Sequence, residues 1–284
     1  MAEPVIVKDP EAMRGISRDA VKASKSVGFV PTMGALHAGH RALIERARKE
    51  NDIVVVSIYV NPTQFGEGED FEKYPRTLEA DRKICAGAGV DYIFAPDSLF
   101  QPGTRTFVQI GGLDEMLCGL SRPGHFRGVA TVVTKLFNIV HPVRAYFGRK
   151  DAQQMLILQT LVKDLDFGIE IVPCETVREA DGLAMSSRNR FLSPKERKQA
   201  LAIPRALEYC KTKIVEGERD AMKLMGEMAE ILGQQPDIEI DYISIVDAEN
   251  LEEYDFIQGD VLVAIAAKVG ETRLIDNFHM EEVA

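Results

Sequence analysis

The chain has 284 residues, 45% of them hydrophobic and 27% charged, with 44 acidic side chains against 34 basic ones. That length suits one large domain or two modest ones, and it buries enough surface to stand without disulfide or metal staples. A formal charge of −10 argues against a nucleic-acid partner, and no apolar run reaches the roughly 18 residues of a membrane span.

The first nine residues carry acid and proline where a signal peptide needs a basic start and an apolar run, so a cytoplasmic protein acting on small molecules is expected. Cys85, Cys118, Cys174 and Cys210 lie far apart with no CxxC pair. They read as reduced, buried thiols rather than a zinc knuckle, redox dithiol or disulfide framework.

In chain order, Val27–Val30 reads as a strand and a turn of small residues follows through His40. Arg41–Lys49 has helical periodicity, with Leu43, Ile44 and Ala47 on one face. Ile53–Val60 is β-branched almost throughout, as a strand covered on both faces should be. Helices are predicted at Leu78–Ala88, Val129–Val140 and Ala152–Leu165, and strands at Asp91–Ala95, Phe107–Ile110, Ala145–Phe147 and Ile169–Val172. This alternation predicts a Rossmann-like α/β domain over residues 1–176, with a parallel sheet and helices on both faces. Ligands bind such sheets outside the carboxyl ends of the strands, near the switch in strand order.

Past Val172 the alternation stops. A polar loop, Glu175–Asn189, leads to Ser193-Pro-Lys-Glu196, where a serine cap, a proline at the first helical position and a glutamate three residues on start a helix. That helix is expected to reach about Val215, with a second at Asp220–Leu232 and apolar strands at Ile238–Val246 and Val261–Val269. Helices followed by strands predict a smaller α+β domain, residues 177–284, placed to act as a lid.

Pro31-Thr-Met-Gly-Ala-Leu-His-Ala-Gly-His40 lies between a strand and a helix. His37 and His40, three apart, are expected to project from one face of a first helical turn. The N–H groups and dipole of a helix N-terminus favour phosphate, and imidazole can donate to a phosphate oxygen that gains charge. The other reading is a histidine-capped helix with no ligand. Phe147-Gly-Arg-Lys-Asp151 offers a tight turn, a mobile cation and a carboxylate for ribose hydroxyls, or it is an ordinary charged loop. In Arg178–Arg190, Ser186, Ser187 and Arg188 suit a phosphate, although the stretch also reads as a solvated linker. Asn61 and Gln64 follow a strand end, and Gly66–Asp70 is a gate or an exposed loop. One of Gln153 and Gln154 can face the same cleft, and Arg122–Gly128 adds cations or is a surface turn.

The HxGH turn with a later serine-rich basic loop resembles the HIGH and KMSKS pair of the nucleotidylyltransferase superfamily. The ordered set PTMGALHAGH, NPTQF, RPGHFRG, FGRKDAQQ and READGLAMSSRNRFLS, spanning residues 28–197, resembles the pantothenate synthetase (pantoate–β-alanine ligase) family. Ala38 and Arg41 depart from the frequent residues beside the key positions. The resemblance implies an ATP-dependent condensation of pantoate with β-alanine through pantoyl adenylate, releasing AMP and pyrophosphate, in a cytoplasmic homodimer. It places ATP against Met33, Gly34, Ala35, Leu36, His37, Ala38, Gly39 and His40, against Gly148, Arg149, Lys150 and Asp151, and against Val177, Met185, Ser186, Ser187 and Arg188. His40 matches the family's proton donor, with His37, Lys150 and Arg188 joining it in offsetting charge. Asn61, Gln64 and Gln154 are the implied substrate contacts. Mg²⁺ is expected to arrive with ATP, and no protein ligand set for it is readable. Two other readings stay open: a nucleotidylyltransferase that releases a nucleotide-linked product, and a nucleotide sensor without turnover. A tRNA synthetase is disfavoured by the short chain and its charge.

Overall fold

The computed structural model describes residues 3–283. By their packing the residues divide into two compact units. One comprises the chain up to Glu115 together with Arg122–Arg149 and Gln153–Glu175; the other comprises Met116–Ser121, Lys150–Ala152 and the chain from Thr176 onward.

The first unit is built on six parallel strands: β1 (Val5–Val7), β2 (Val27–Thr32), β3 (Ile53–Ile58), β4 (Tyr92–Phe94), β5 (Arg144–Gly148) and β6 (Glu170–Cys174). Their spatial order is β1-β4-β3-β2-β5-β6. The chain steps outward from β2 through β3 to β4, then returns to place β5 on the other side of β2, so the order switches between β2 and β5. Helices α1 (Pro10–Lys22), α2 (Ala38–Glu50), α3 (Leu78–Ala88), α5 (His125–Val140) and α6 (Ala152–Asp164) supply the outer layers, while α4, a single turn at Cys118–Ser121, belongs to the second unit.

The period of two along each strand sorts its side chains between two cores. Phe29, Val55, Phe94, Ala145 and Phe147 join Met13, Leu136, Phe137 and Leu158 on one face. Val30, Val54, Val56, Ile93 and Tyr146 join Leu43, Ile44 and Cys85 on the other. Both faces are covered, which explains why β3 reads as a continuous β-branched run.

The second unit holds α7 (Pro194–Ala200), α8 (Ala202–Val215) and α9 (Ala221–Gly233) with an antiparallel sheet of β7 (Ile238–Asp247), β8 (Gly259–Val269) and β9 (Thr272–Val283). Its core joins Ile203, Leu207 and Ile214 of α8 and Leu224, Met228 and Leu232 of α9 to Val261, Val263, Ile265 and Ala267 of β8. All four cysteines are unbridged and buried, and burial pushes the Cys85 and Cys210 thiols up to about 12.

Two expectations change, and two features were not foreseen. Phe107–Ile110 is not a strand; Val108 donates its N–H to the Thr131 hydroxyl of α5 at 2.9 Å instead of to a neighbouring strand. The helix expected from Ser193 to Val215 breaks at Leu201, because Pro204 has no N–H for the Ala200 carbonyl and its ring crowds that group. The β1–α1 unit was not predicted: β1 is three residues long, and the buried side of α1 mixes Met13 with Ser17 and Ala20. Strand β9 was also missed, since Arg273, Asp276, Asn277 and His279 hide its alternation.

Candidate active site

The HxGH turn starts where β2 ends, beside the switch in strand order. Thr32 ties it down, donating its hydroxyl to the Ser57 carbonyl at 2.7 Å and accepting the Gly34 N–H at 3.1 Å. Gly34 and Ala35 then take φ values of +86° and +50°. The next donors meet a carboxylate from α3: Ala35 N–H reaches Asp81 Oδ2 at 3.1 Å and Leu36 N–H reaches Oδ1 at 2.7 Å. The side chains of Ala35 and Leu36 are buried.

His37 is not in the first helical turn, as expected from its spacing, but caps it, with an extended backbone of φ −134° and ψ −178°. Its Nδ1 accepts the Gly39 N–H at 3.1 Å, and His40 Nδ1, at the third helical position, accepts the His37 N–H at 3.3 Å. This is a capping box made with two imidazoles. The rings still lie together, 4.1 Å between centroids. A neutral imidazole that accepts at Nδ1 carries its proton on Nε2. Both rings stand at a helix N-terminus whose first turn has no acidic residue.

Beyond β3, Asn61 is 1% exposed. Its Oδ1 accepts from the Thr63 N–H and hydroxyl, while Nδ2 donates to Gln64 Oε1 at 3.0 Å and to the Gly128 carbonyl at 3.2 Å. Gln64 Nε2 donates to Met33 Sδ at 3.3 Å, which joins this segment to the HxGH turn. RPGHFRG is not a detached surface turn. His125 Nδ1 lies 2.8 Å from the Gln64 carbonyl, and Arg122 forks onto Glu69 at 2.6 and 2.7 Å. A Cβ on Gly128 would collide with the Thr63 carbonyl oxygen and sit 2.7 Å from Gln64 N, so only glycine lets α5 approach this closely. Gln153 is buried and donates to the Leu113 carbonyl at 2.8 Å; Gln154 is the partly exposed member of the pair.

Gly148 and Arg149 close β5, next to β2 in the sheet, with Arg149 Nε 3.1 Å from Glu175 Oε1. Lys150 and Asp151 belong to the second unit. There Asn277 Nδ2 donates to the Lys150 carbonyl at 2.7 Å, and Lys150 Nζ is 3.8 Å from Asp151 Oδ1. The serine–arginine segment in the same unit is a braced hairpin rather than a solvated linker. Met185 N–H donates to the Val177 carbonyl at 3.0 Å, and Arg178 forks onto the buried Asp276 at 2.6 and 3.0 Å. Ser186 Oγ accepts the Arg188 N–H at 3.2 Å at the start of the short turn Ser187–Phe191. Arg197 reaches both Glu179 and Asp181 and holds both carboxyls below the usual range. Lys150 and the hairpin are thus fastened to neighbouring residues of β9, Asp276 and Asn277. Asp81, Asp276 and Asn277 all went unnoticed in the sequence, because each is an ordinary polar residue inside a helix or strand and only the fold gives it a partner.

Six parallel strands, a histidine-capped helix at the strand-order switch and a separate α+β unit define a protein of the Rossmann-like α/β class. The family model described as pantoate-beta-alanine ligase matches residues 5–279. The chain is 53% identical to pantothenate synthetase of Thermotoga neapolitana over 96% of this chain and 98% of that one. A crystal structure of pantothenate synthetase from Thermus thermophilus superposes with a TM-score of 0.91, at 44% identity and covering 96% and 98% of the two chains. A pantoate-beta-alanine ligase from Francisella tularensis, complexed with beta-gamma ATP and β-alanine, superposes with a TM-score of 0.78 at 34% identity, covering 97% of each chain. The chain belongs to the pantoate-β-alanine ligase family. It is an enzyme that joins pantoate to β-alanine to form pantothenate.

Proposed function

We propose that the ligation runs through ATP: pantoate is converted to pantoyl adenylate with release of pyrophosphate, and the β-alanine amine then displaces AMP. The observation that carries this reading is the capping box of His37 and His40, which turns both Nδ1 atoms to the backbone and sets the two rings side by side at the N-terminus of α2. The Francisella relative's complex with beta-gamma ATP and β-alanine supports the same substrates.

In the first step a pantoate carboxylate oxygen bonds to the α-phosphorus and the bond to the bridging oxygen breaks. Charge builds on the phosphate oxygens and on departing pyrophosphate. His40 and His37 meet that charge with Nε2–H, Lys150 with its ammonium, and Ser186, Ser187 and Arg188 with hydroxyl and guanidinium donors. Met33, Gly34, Ala38 and Gly39 form the nucleotide side of the turn, while Gly148, Arg149, Asp151, Val177 and Met185 complete the nucleotide contacts. Ala35 and Leu36 serve by holding the turn to Asp81. Asn61 orients Gln64, and Gln64 and Gln154 receive pantoate, with Gln64 also contacting β-alanine.

Among the described residues no group of three His, Cys, Asp or Glu side chains is placed to hold a metal ion. Mg²⁺ would arrive with ATP rather than in a site of its own, and the chemistry it would supply is charge neutralisation on the phosphates. No helix among the described residues is long and apolar enough to cross a membrane. A cytoplasmic site of action and a homodimeric state are what the family resemblance implies. Light scattering at twice the 31.5 kDa of one chain tests the dimer. Pyrophosphate exchange into ATP should require pantoate, and pantothenate should appear only once β-alanine is added. Absence of pantoate-dependent exchange in the purified enzyme with Mg²⁺ would sink the adenylate route.

A further inference from the structure

We propose that the buried carboxylate of Asp81 is the positioning residue of the HxGH turn, setting where the α2 N-terminus and its two imidazoles stand against ATP. The inference rests on the reading that this turn holds the nucleotide. Asp81 lies in α3, four residues after the cap Thr77, and is 1% exposed. Its oxygens take two consecutive backbone donors, Ala35 N–H at 3.1 Å and Leu36 N–H at 2.7 Å. The Thr77 hydroxyl adds a third bond at 3.2 Å. Charge-assisted bonds to adjacent peptide groups fix the direction of the chain as well as its place.

The turn requires such a hold. Ala35 has a Cβ yet adopts φ +50°, a left-handed conformation that is unfavourable for an L-residue and persists only where the surroundings over-determine it. Gly34 makes room for the carboxylate, since a Cβ there would lie 3.1 Å from Asp81 Oδ2 and 3.1 Å from Ile58 Cγ2.

Two N–H groups of a phosphate-facing turn are thereby spent on a protein anion. Phosphate must then be met further along, by the α2 N-terminus and the histidine Nε2–H donors. A fixed negative charge near phosphates opposes their binding by repulsion, so this carboxylate contributes geometry rather than attraction. Thr77 also ends the segment that begins at Gly66, so Asp81 links that segment's anchor to the HxGH turn.

Asp81→Asn keeps the shape but sets an amide donor against one of the two N–H donors. In the purified full chain it is expected to lower kcat for pantoate-dependent pyrophosphate exchange and raise the KM for ATP, by about tenfold to a hundredfold in kcat/KM. The KM for β-alanine should stay at the wild-type value. Thr77→Val, which deletes one donor, should move the same parameters in the same direction by a smaller factor. A role in stability alone would lower the melting temperature and the active fraction while leaving the KM for ATP unchanged. That outcome, or exchange kinetics within about twofold of wild type, overturns the proposal. Should Asp81→Asn fail to fold, an unchanged KM for ATP in Thr77→Val overturns it alone. His40→Ala, run alongside, separates the levels. If it too exchanges at the wild-type rate, the nucleotide reading of the turn is what fails; if it is inactive while Asp81→Asn is not, only the role of Asp81 fails.

Discussion

His40 closes the capping box on His37 through Nδ1, and the proposed mechanism gives its Nε2 the part of donor to phosphate. His40→Ala is expected to fold and to lose up to about 1 kcal/mol of stability, the usual cost of a lost cap bond. Pyrophosphate exchange should fall about a hundredfold to a thousandfold, as when one donor to a developing oxyanion is removed. A thermal melt beside the exchange assay checks both, and wild-type turnover would reject the role given to His40. The expectation arose from the residues themselves, since two histidines beside a glycine between a strand and a helix are scarce and directional. Asp81 announced nothing: an acidic residue in the first turns of a helix is ordinary, and its partners lie 45 and 46 residues away in sequence.

At the scale of elements, the segment after Asn61 is held from outside itself. Arg122 forks onto Glu69, and His125 meets the Gln64 carbonyl. Burial raises the Glu69 carboxyl, but the bonds and charge of Arg122 outweigh it and hold the carboxyl below its usual range. A lowered folded-state value means the pair contributes fully above the unfolded value of about 4.3, and that its contribution disappears as the pH falls through the lower folded value. Glu69→Gln should therefore melt below wild type near neutral pH. The gap should close as the pH drops below about 4, and a gap that is independent of pH would contradict the account. Helix α3 was predicted at its observed bounds, because an apolar stripe and a terminal glycine mark it locally. Helix α7 was correctly started by its capping box but not correctly ended, since the stop comes from Pro204 four residues past its last position, Ala200.

At the scale of the molecule, the apolar side chains form separate cores, one in the second unit and two on opposite faces of the parallel sheet. Ile44 and Ile203 sit in different cores, fully buried or nearly so. Trimming either to valine should cost about 0.5–1.5 kcal/mol, and with no shared partners the two costs should add within about 0.5 kcal/mol. Denaturant titrations of the single and double variants measure this, and a larger coupling would show that the cores are not energetically separate.

Local chemistry along the chain was enough to declare the α/β class, the HxGH turn and the family, because strand alternation, capping signals and short motifs are all written within a few residues of one another. The partners of Asp81, Arg122 and Asn277, the closeness of Gly128 to Thr63, and the pairing of β9 came only with the fold. Each joins groups tens of residues apart, and the free energy of such a bond depends on burial and geometry that no local pattern encodes. The charge of −10 is of the same kind: it describes the whole surface, whereas phosphate would meet only the donors that folding gathers.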